Sequence, residues 1–219
     1  GNVLEPIPLM DQHGADAVRW YMLAAGSPWS ARRVGHDAIS DVVRKTLLTY
    51  WNTVSFFTLY AKASNFSLDQ SAGPLSTMDK WIISELNELI EKVDKAYENF
   101  DSQEVGTLIA TFIDDLSNWY VRRSRRKFWD GDLTSLHTLY RCLKELTLLM
   151  SPMVPLLNTR LCLHHKVLVG DVHFTVATLH RLVAVVISHC IGYQQRIRLA
   201  GLTLATIRSR LIGMDSMLS

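Results

Sequence analysis

The apolar residues of segment 79–100 recur every three or four positions, and this spacing restricts the segment to an α-helix with one buried face. Charged side chains such as Glu85, Glu88 and Lys92 occupy the opposite face, and the pattern stops near Asn99. The predicted buried face consists of Ile82, Leu86, Leu89, Ile90, Val93, Ala96, Tyr97 and Phe100. The segment is therefore predicted to be an amphipathic helix that must pack against partners.

Three further segments, 36–63, 102–129 and 133–150, show the same period. Asp101 lies three residues before Glu104, which is the spacing of a reciprocal N-terminal cap for the helix over 102–129. Prolines shortly after position 150 prevent the last of these helices from continuing. Because four amphipathic helices with short connections pack most simply as an antiparallel bundle, the predicted fold class is all-α.

The sequence lacks the features of a membrane or secreted protein. It contains no run of 18 apolar residues, so a membrane-spanning helix is not expected. Three widely spaced cysteines argue against a disulfide framework and favour a reducing compartment. The first residues have neither the basic nor the apolar region of a signal peptide and look like a cut end. We therefore expect a cytoplasmic protein without a membrane partner.

The composition changes near position 157. Residues 1–157 carry a net charge of −3 and all six tryptophans, whereas residues 158–219 carry +5 and contain no Glu. The later part has short apolar clusters without a long period, so 158–219 is left as an unassigned tail, for which translation in a shifted reading frame is one hypothesis. Its histidines and cysteines lack the C-x-x-C and H-x3-H spacings of a metal site, and no metal is expected.

The stretch "LSNWYVRRSRRKFW", residues 116–129, places five basic side chains among four aromatic ones. On a regular helix the buried stripe through Leu116 and Tyr120 continues onto Arg123 and Lys127, which predicts that this helix end projects beyond the core. Guanidinium groups bind phosphate bidentately and aromatic rings stack on unpaired bases, so the pattern suits structured RNA. The best candidates for RNA contact share a second stripe, which carries Trp119, Arg122, Arg126 and Trp129.

A second interpretation gives the same stretch a purely structural role. Arginine stems often cover apolar surface, and their charged ends could pair with nearby acids. Trp119 could pack on a neighbouring helix. The acids available for pairing are Asp114, Asp115, Asp130 and Asp132. Periodicity alone does not decide between RNA binding and a salt-bridged helix end.

Two long segments resemble the isoleucyl-tRNA synthetases of class I. "LSNWYVRRSRRKFWDGD" is similar to the signature helix of their anticodon-binding domain, and "VRKTLLTYWNTVSFFTLYA", residues 43–61, is similar to the first long helix of that domain. "LYRCLKELTLLMSPMVPLL" resembles the next bundle helix and its proline-containing end. The N-terminal segment resembles the part that follows the lysine-rich, ATP-contacting loop. The resemblance covers about residues 1–157.

The resemblance implies an antiparallel bundle of the class Ia synthetase anticodon-binding type. It assigns 1–35 as a connecting segment after the catalytic domain, 36–157 as the anticodon-binding bundle and 158–219 as the unaligned tail. The implied function is binding of the anticodon stem-loop of isoleucine tRNA, with the missing catalytic part of the synthetase as the second partner. Alternatives are a non-functional remnant and a helical interaction scaffold.

Catalysis by this chain alone is not expected. Family enzymes use ATP and magnesium, but the chain has no His-rich signature, no Gly-rich phosphate loop and no G-x-S-x-G, so we predict no catalytic residue and no cofactor in it. Arg32 and Arg33 lie in the loop "SPWSARRVG" after Gly26 and are secondary candidates for phosphate contact, with ordinary solvation of a loop as the alternative. The full set of candidate RNA-binding residues is Trp119, Arg122, Arg123, Arg125, Arg126, Lys127, Trp129, Arg32 and Arg33.

Overall fold

The computed structural model describes residues 4–26, 30–31 and 33–161. Arg32 and the tail from position 162 therefore lie outside the described residues, as does every prediction made for them. All regular structure in the described part is helical, which confirms the all-α fold class. The helices are α1 (Pro6–His13), α2 (Ala15–Ala24), α3 (His36–Val42), α4 (Leu48–Ala63), α5 (Thr77–Glu98), α6 (Ser102–Asp114), α7 (Arg122–Trp129) and α8 (Leu133–Met150).

Two of the four predicted long helices contain a π-helical segment. Val43–Leu47 joins α3 to α4, and Asp115–Val121 joins α6 to α7. The backbone stays helical through both junctions, with φ −56° and ψ −50° at Val43 and φ −60° and ψ −44° at Asp115. A π turn contains more residues than an α turn, so it rotates every later side chain relative to the earlier ones. The helix lengths were therefore predictable, but the orientation of their later faces was not.

The starts of α5, α6 and α8 follow from local capping. Ser76 and Asp79 form a capping box at the start of α5, in which each side chain binds the backbone N–H of the other residue. Asp101 accepts a hydrogen bond from the Glu104 backbone N–H at 2.9 Å, which caps α6 where the spacing predicted it. Asp132 caps α8 by accepting from two backbone N–H groups. These caps satisfy orphan donors and set where these three helices begin.

The core lies between the long helices and includes a buried polar cluster at one end. Phe57, Leu86, Ile109 and Leu143 are fully buried, as the predicted period requires. At one end of the core, the Tyr50 hydroxyl lies 2.6 Å from Thr147 Oγ1 and donates to Asn158 Oδ1 at 3.4 Å. Asn158 is itself fully buried. Residues 155–161 are helical, so this helix runs through the predicted boundary after residue 157.

The segment before α3 docks on the proline-containing corner. The Arg19 guanidinium donates to the carbonyl oxygens of Pro152 and Met153 at 3.0 and 3.3 Å. Asp16 Oδ2 accepts from the Leu157 backbone N–H at 2.6 Å, near the start of the last described helical residues. Ser102 Oγ donates to the Leu23 carbonyl at 2.9 Å. The residues assigned to a connecting segment are thus part of the bundle's packing.

No helix in the described part of the chain is both long and apolar enough to cross a membrane.

Gly106 of α6 lies close to Ala24 at the end of α2. A Cβ added there would lie 2.2 Å from the Cβ of Ala24 and 3.0 Å from its Cα. Glycine normally weakens a helix, so its presence here reflects the close approach of the two backbones.

Gly106→Ala should lower the free energy of unfolding by about 1–3 kcal/mol despite the better helix propensity of alanine, because α2 must move away from α6. Urea denaturation measures the change. Thr107→Ala is the matched control, since Thr107 is exposed on the same helix. A stabilised Gly106→Ala variant would contradict the close packing of these helices.

Candidate RNA-binding surface

The buried face of the basic helix follows Leu116, Tyr120, Ser124 and Phe128, each at most 4% exposed. The regular-helix prediction placed this stripe on Arg123 and Lys127, and that prediction is wrong after Tyr120. The π segment Asp115–Val121 lies at this point, and its wider turn rotates Ser124 and Phe128 inward. The arginines are consequently turned towards solvent.

Phe128 fixes the end of α7 on α4. Its ring lies edge-on at 5.3 Å from Phe56 and at 6.2 Å from Tyr120, and 6.3 Å from Tyr60. Edge-to-face aromatic contacts at these distances are favourable beyond the area they bury. The expectation that this helix end projects beyond the core is therefore also wrong, because α7 is packed to its penultimate residue.

The opposite face of the basic helix is cationic and exposed. Arg122, Arg123, Arg125 and Arg126 are all exposed. Trp119 is 48% and Trp129 78% exposed. The Arg123 guanidinium lies 4.5 Å from the centre of the Trp119 ring, within cation–π distance. The structure thus brings six of the sequence-predicted residues together on one helix surface.

The salt-bridged interpretation accounts for little of this surface. Only one of the four candidate acids, Asp130, is within ion-pair distance of an arginine in the described residues. Its Oδ2 lies 3.9 Å from Arg126 Nε, and both side chains are largely in solvent. Such an exposed pair contributes little. Asp114 instead accepts from Asn118 Nδ2 at 2.6 Å, and Asp132 caps α8. Burial, followed by the adjacent Asp114 charge, raises the pKa of Asp115.

Lys127 is placed differently from the arginines. Its Nζ donates to Ser76 Oγ at 2.7 Å and lies 3.7 Å from Asp79 Oδ2, and its side chain is 41% exposed. This lysine joins the end of α7 to the start of α5 instead of standing free on the exposed face. Its identification as a phosphate ligand stays a prediction with less geometric support than that of the arginines.

Asp79 is the acceptor at the centre of this junction and was missed as a site-positioning residue. It is 1% exposed, and it accepts from the Tyr120 hydroxyl at 2.7 Å and from the Ser76 N–H at 2.9 Å and Oγ at 2.5 Å. Burial opposes the charged carboxylate, but the Ser76 and Tyr120 hydrogen bonds outweigh it and lower the pKa of Asp79. Burial and this bond to Asp79 raise the pKa of Tyr120. Asp79 therefore stays ionised and holds the basic helix in place.

Arg33 lies away from the basic helix. Its backbone carbonyl accepts from the Tyr21 hydroxyl at 2.9 Å, and its side chain is exposed before the start of α3. The helical run over 36–63 extends about 40 Å from there to the end of α4, beside Phe128. The structure therefore does not bring Arg33 together with the arginines of α7.

Sequence reasoning also missed Tyr60, Ala63 and Ser64. These residues of and after α4 border a groove together with Trp129. Tyr60 follows Phe56 by one helical turn, but nothing in the pattern of segment 36–63 indicates which residue of segment 102–129 it meets.

Comparisons with known proteins agree with this architecture. Residues 79–167 match the family model described as the anticodon-binding domain of tRNA ligase. The chain is 55% identical over 163 residues to the isoleucine–tRNA ligase of Streptomyces avermitilis and 45% identical over 161 residues to that of Dehalococcoides mccartyi. These alignments cover 73% and 70% of this chain but only 16% of each relative. The chain thus spans about a sixth of their length.

Solved structures share the fold at low sequence identity. The chain superposes on Mycobacterium tuberculosis methionyl-tRNA synthetase in complex with methionyl-adenylate with a TM-score of 0.65 and 17% identity, over 74% of this chain and 33% of that one. It superposes on LeuRS in a ternary complex with tRNA and LeuAMS from Agrobacterium radiobacter K84 with a TM-score of 0.55 and 20% identity, over 81% of this chain and 21% of that one.

Asp79→Asn should lower the free energy of unfolding by about 2–4 kcal/mol near neutral pH, because it removes the buried charge that three donors solvate. The folded-state pKa of Asp79 is below the ordinary value of 3.8, so its contribution is present above pH 3.8 and is lost as the pH falls through the folded-state pKa. The difference between variant and wild type should therefore shrink in acid. Denaturation at a series of pH values measures it.

Asp94→Asn is the control for that experiment, because Asp94 is exposed on the same helix. Its effect should stay within about 0.5 kcal/mol at every pH. If Asp79→Asn and Asp94→Asn gave the same pH dependence, the buried carboxylate would not stabilise the junction.

Proposed function

We propose that this chain, which carries the anticodon-binding domain of the isoleucine–tRNA ligase family, binds the anticodon stem and loop of isoleucine tRNA through the exposed face of its basic helix. The observation that carries the proposal is the set of exposed arginines on one fixed helix, with Asp130 as the only acid within ion-pair distance of them in the described residues. The identity of the RNA is inferred from the name of the relatives, and the exposed arginines have the chemistry that binds its phosphates.

The arginines fit phosphate recognition because they are exposed and their helix is held firmly. Guanidinium groups offer paired N–H donors to phosphate oxygens, and phosphate contacts position RNA without reading its sequence. Arg122 and Arg125 have no ion-pair partner within the described residues, so binding RNA would break no ion pair of theirs. Phe128 and Tyr120 anchor the backbone that carries them, which lowers the entropy lost on binding.

Aromatic side chains flank the arginines. Trp119 is held by Arg123, and Trp129 ends α7 with most of its ring in solvent. Unpaired bases stack on such rings, which is how proteins commonly read single-stranded RNA loops. We propose that α7 binds stem phosphates through its arginines and meets the loop at its aromatic end.

The chain does not aminoacylate tRNA by itself in this proposal. The relatives of which this chain spans about 16% are isoleucine–tRNA ligases, and the catalytic part of such a protein is the second proposed partner of this chain. The proposed location is the cytoplasm, where tRNA is charged.

Arg122→Glu combined with Arg126→Glu should weaken binding to isoleucine tRNA at least about tenfold and flatten its salt dependence, with the slope of log K against log salt falling by about 1–2 because two phosphate contacts are lost. Titration of labelled tRNA over a salt series measures both quantities. Unchanged affinity would favour the scaffold alternative.

Lys92→Glu combined with Lys95→Glu is the matched control, because it makes the same change in net charge on the exposed face of α5. It should weaken binding much less than the arginine pair. Equal losses from both pairs would mean that only overall charge matters and that α7 is not the tRNA-binding face.

ATP–pyrophosphate exchange with isoleucine should be absent for the purified chain, because the sequence contains none of the family's nucleotide-binding motifs. A full-length isoleucine–tRNA ligase is the positive control. Exchange above background by the chain alone would contradict the division of roles proposed above.

A further inference from the structure

Two histidines face each other where the end of α1 meets the start of α3. His13 Nε2 lies 2.9 Å from His36 Nδ1, and the two ring centroids are 5.1 Å apart. His13 is the last residue of α1, and His36 is the first residue of α3. They are 23 positions apart in the chain, which matches no sequence spacing typical of a metal site, and no metal was expected from the sequence. The fold, and not a local motif, brings these two nitrogens together.

The backbone on both sides of the pair is held by contacts that do not involve the histidines. Leu9 of α1 and Ile39 of α3 are buried in the core. The chain turns sharply directly after α1, where Gly14 has φ +88°. The Tyr21 hydroxyl donates to the Arg33 carbonyl at 2.9 Å, which fixes the approach to α3. The pair is therefore preorganised, and a ligand that bridges both rings loses little backbone entropy on binding.

The facing nitrogens are close enough to bind one metal ion. Two imidazole nitrogens bound to one ion at about 2.0–2.1 Å lie about 2.9 Å apart when their bonds form a right angle, as in square-planar Cu²⁺ or Ni²⁺, and about 3.3 Å apart around tetrahedral Zn²⁺. The observed 2.9 Å between His13 Nε2 and His36 Nδ1 matches the right-angled arrangement. The nitrogens now point at each other, so a rotation of each ring is needed to aim both at an ion beside the pair.

Binding of an ion replaces the hydrogen bond between the rings without a net loss of protons. In a neutral imidazole one nitrogen carries the proton and the other is an acceptor, so one of the two facing nitrogens carries the shared proton. When the ion binds, that proton moves through solvent to the far nitrogen of the same ring, and both facing nitrogens then offer lone pairs. His13 is half-buried and His36 is exposed, so water reaches the pair.

We propose that His13 and His36 form a two-ligand site for a late first-row divalent metal ion, with Cu²⁺ and Ni²⁺ preferred over Zn²⁺. Imidazole is a good ligand for these ions, whereas Mg²⁺ takes oxygen ligands. The described residues contain no cluster of three His, Cys, Asp or Glu side chains suited to a metal, so water supplies the other ligands. The bound ion links α1 to α3 and stabilises the N-terminal helices. This inference does not depend on the RNA binding proposed above.

The test measures the folded-to-unfolded ratio of the full chain at a fixed urea concentration across a Ni²⁺ series. One ion bound to the folded state raises this ratio about tenfold for each tenfold rise in free Ni²⁺ above the dissociation constant. The wild type should show such a rise, and Mg²⁺ should cause none. Histidines elsewhere in the chain are the same in wild type and variant, so the difference between their slopes isolates the pair.

His13→Gln and His36→Asn are the informative variants. The amide of Gln takes the place of His13 Nε2 and the amide of Asn that of His36 Nδ1, so each can keep a hydrogen bond between α1 and α3 while removing a metal ligand. Each variant should abolish the Ni²⁺-dependent rise and leave the urea midpoint without metal nearly unchanged. His164→Ala combined with His165→Ala is the matched control, because it removes two histidines outside the described residues, and it should keep the rise.

The outcomes are distinct. Loss of the Ni²⁺ response in both histidine variants, with the response kept in the control, supports the site. A response that survives in either variant overturns the two-ligand site, because one imidazole then suffices. The site is also wrong if the wild type does not respond, if Mg²⁺ gives an equal response, or if the control loses it. None of these results bears on tRNA binding, which the arginine pair tests separately.

Discussion

The position of the basic helix depends on one buried carboxylate. Asp79 sits at the first turn of α5, where its Ser76 contacts cap the helix, and its other oxygen receives the Tyr120 hydroxyl from the π segment before α7. Lys127, two turns further along, lies close to the same carboxylate. A buried charge is costly unless donors surround it, so α5 and the basic helix must keep this relative position for Asp79 to remain satisfied.

That junction determines which face of the basic helix meets solvent. With Tyr120 held by Asp79 and Phe128 packed on Phe56, the helix cannot rotate without breaking a buried hydrogen bond and an aromatic contact together. Arg122 and Arg126 are then held in solvent by the packing on the other side of their own helix. The arginines of this surface stay available to bind an anion, because the packing of their helix, and not a set of acids, positions them.

The sequence predicted those parts of the structure that depend on local chemistry. The helix over 133–150 was predicted with the observed ends, and the predicted Asp101 cap is present, because capping spacing and a 3.6-residue period are both visible in a single segment. The buried face of α7 was predicted at Arg123 and Lys127 but lies one residue later, at Ser124 and Phe128. No residue pattern indicates the π turn that precedes α7. The contacts of Lys127 with Asp79 and of Tyr60 with Phe128 were missed because the two partners lie in other helices.

The two ends of the bundle are held by different contacts. Arg19 and Asp16 tie the N-terminal helices to the backbone of the proline-containing corner. At the other end, the connection before α5 is fixed by the Gly73 N–H, which donates to Thr134 Oγ1 at 2.9 Å. Arg33 belongs to the first end and Trp129 to the second, and a helical run of about 40 Å separates them. A ligand that contacts both must therefore span about 40 Å in a preformed conformation. A folded RNA can do so, whereas a short flexible oligonucleotide cannot.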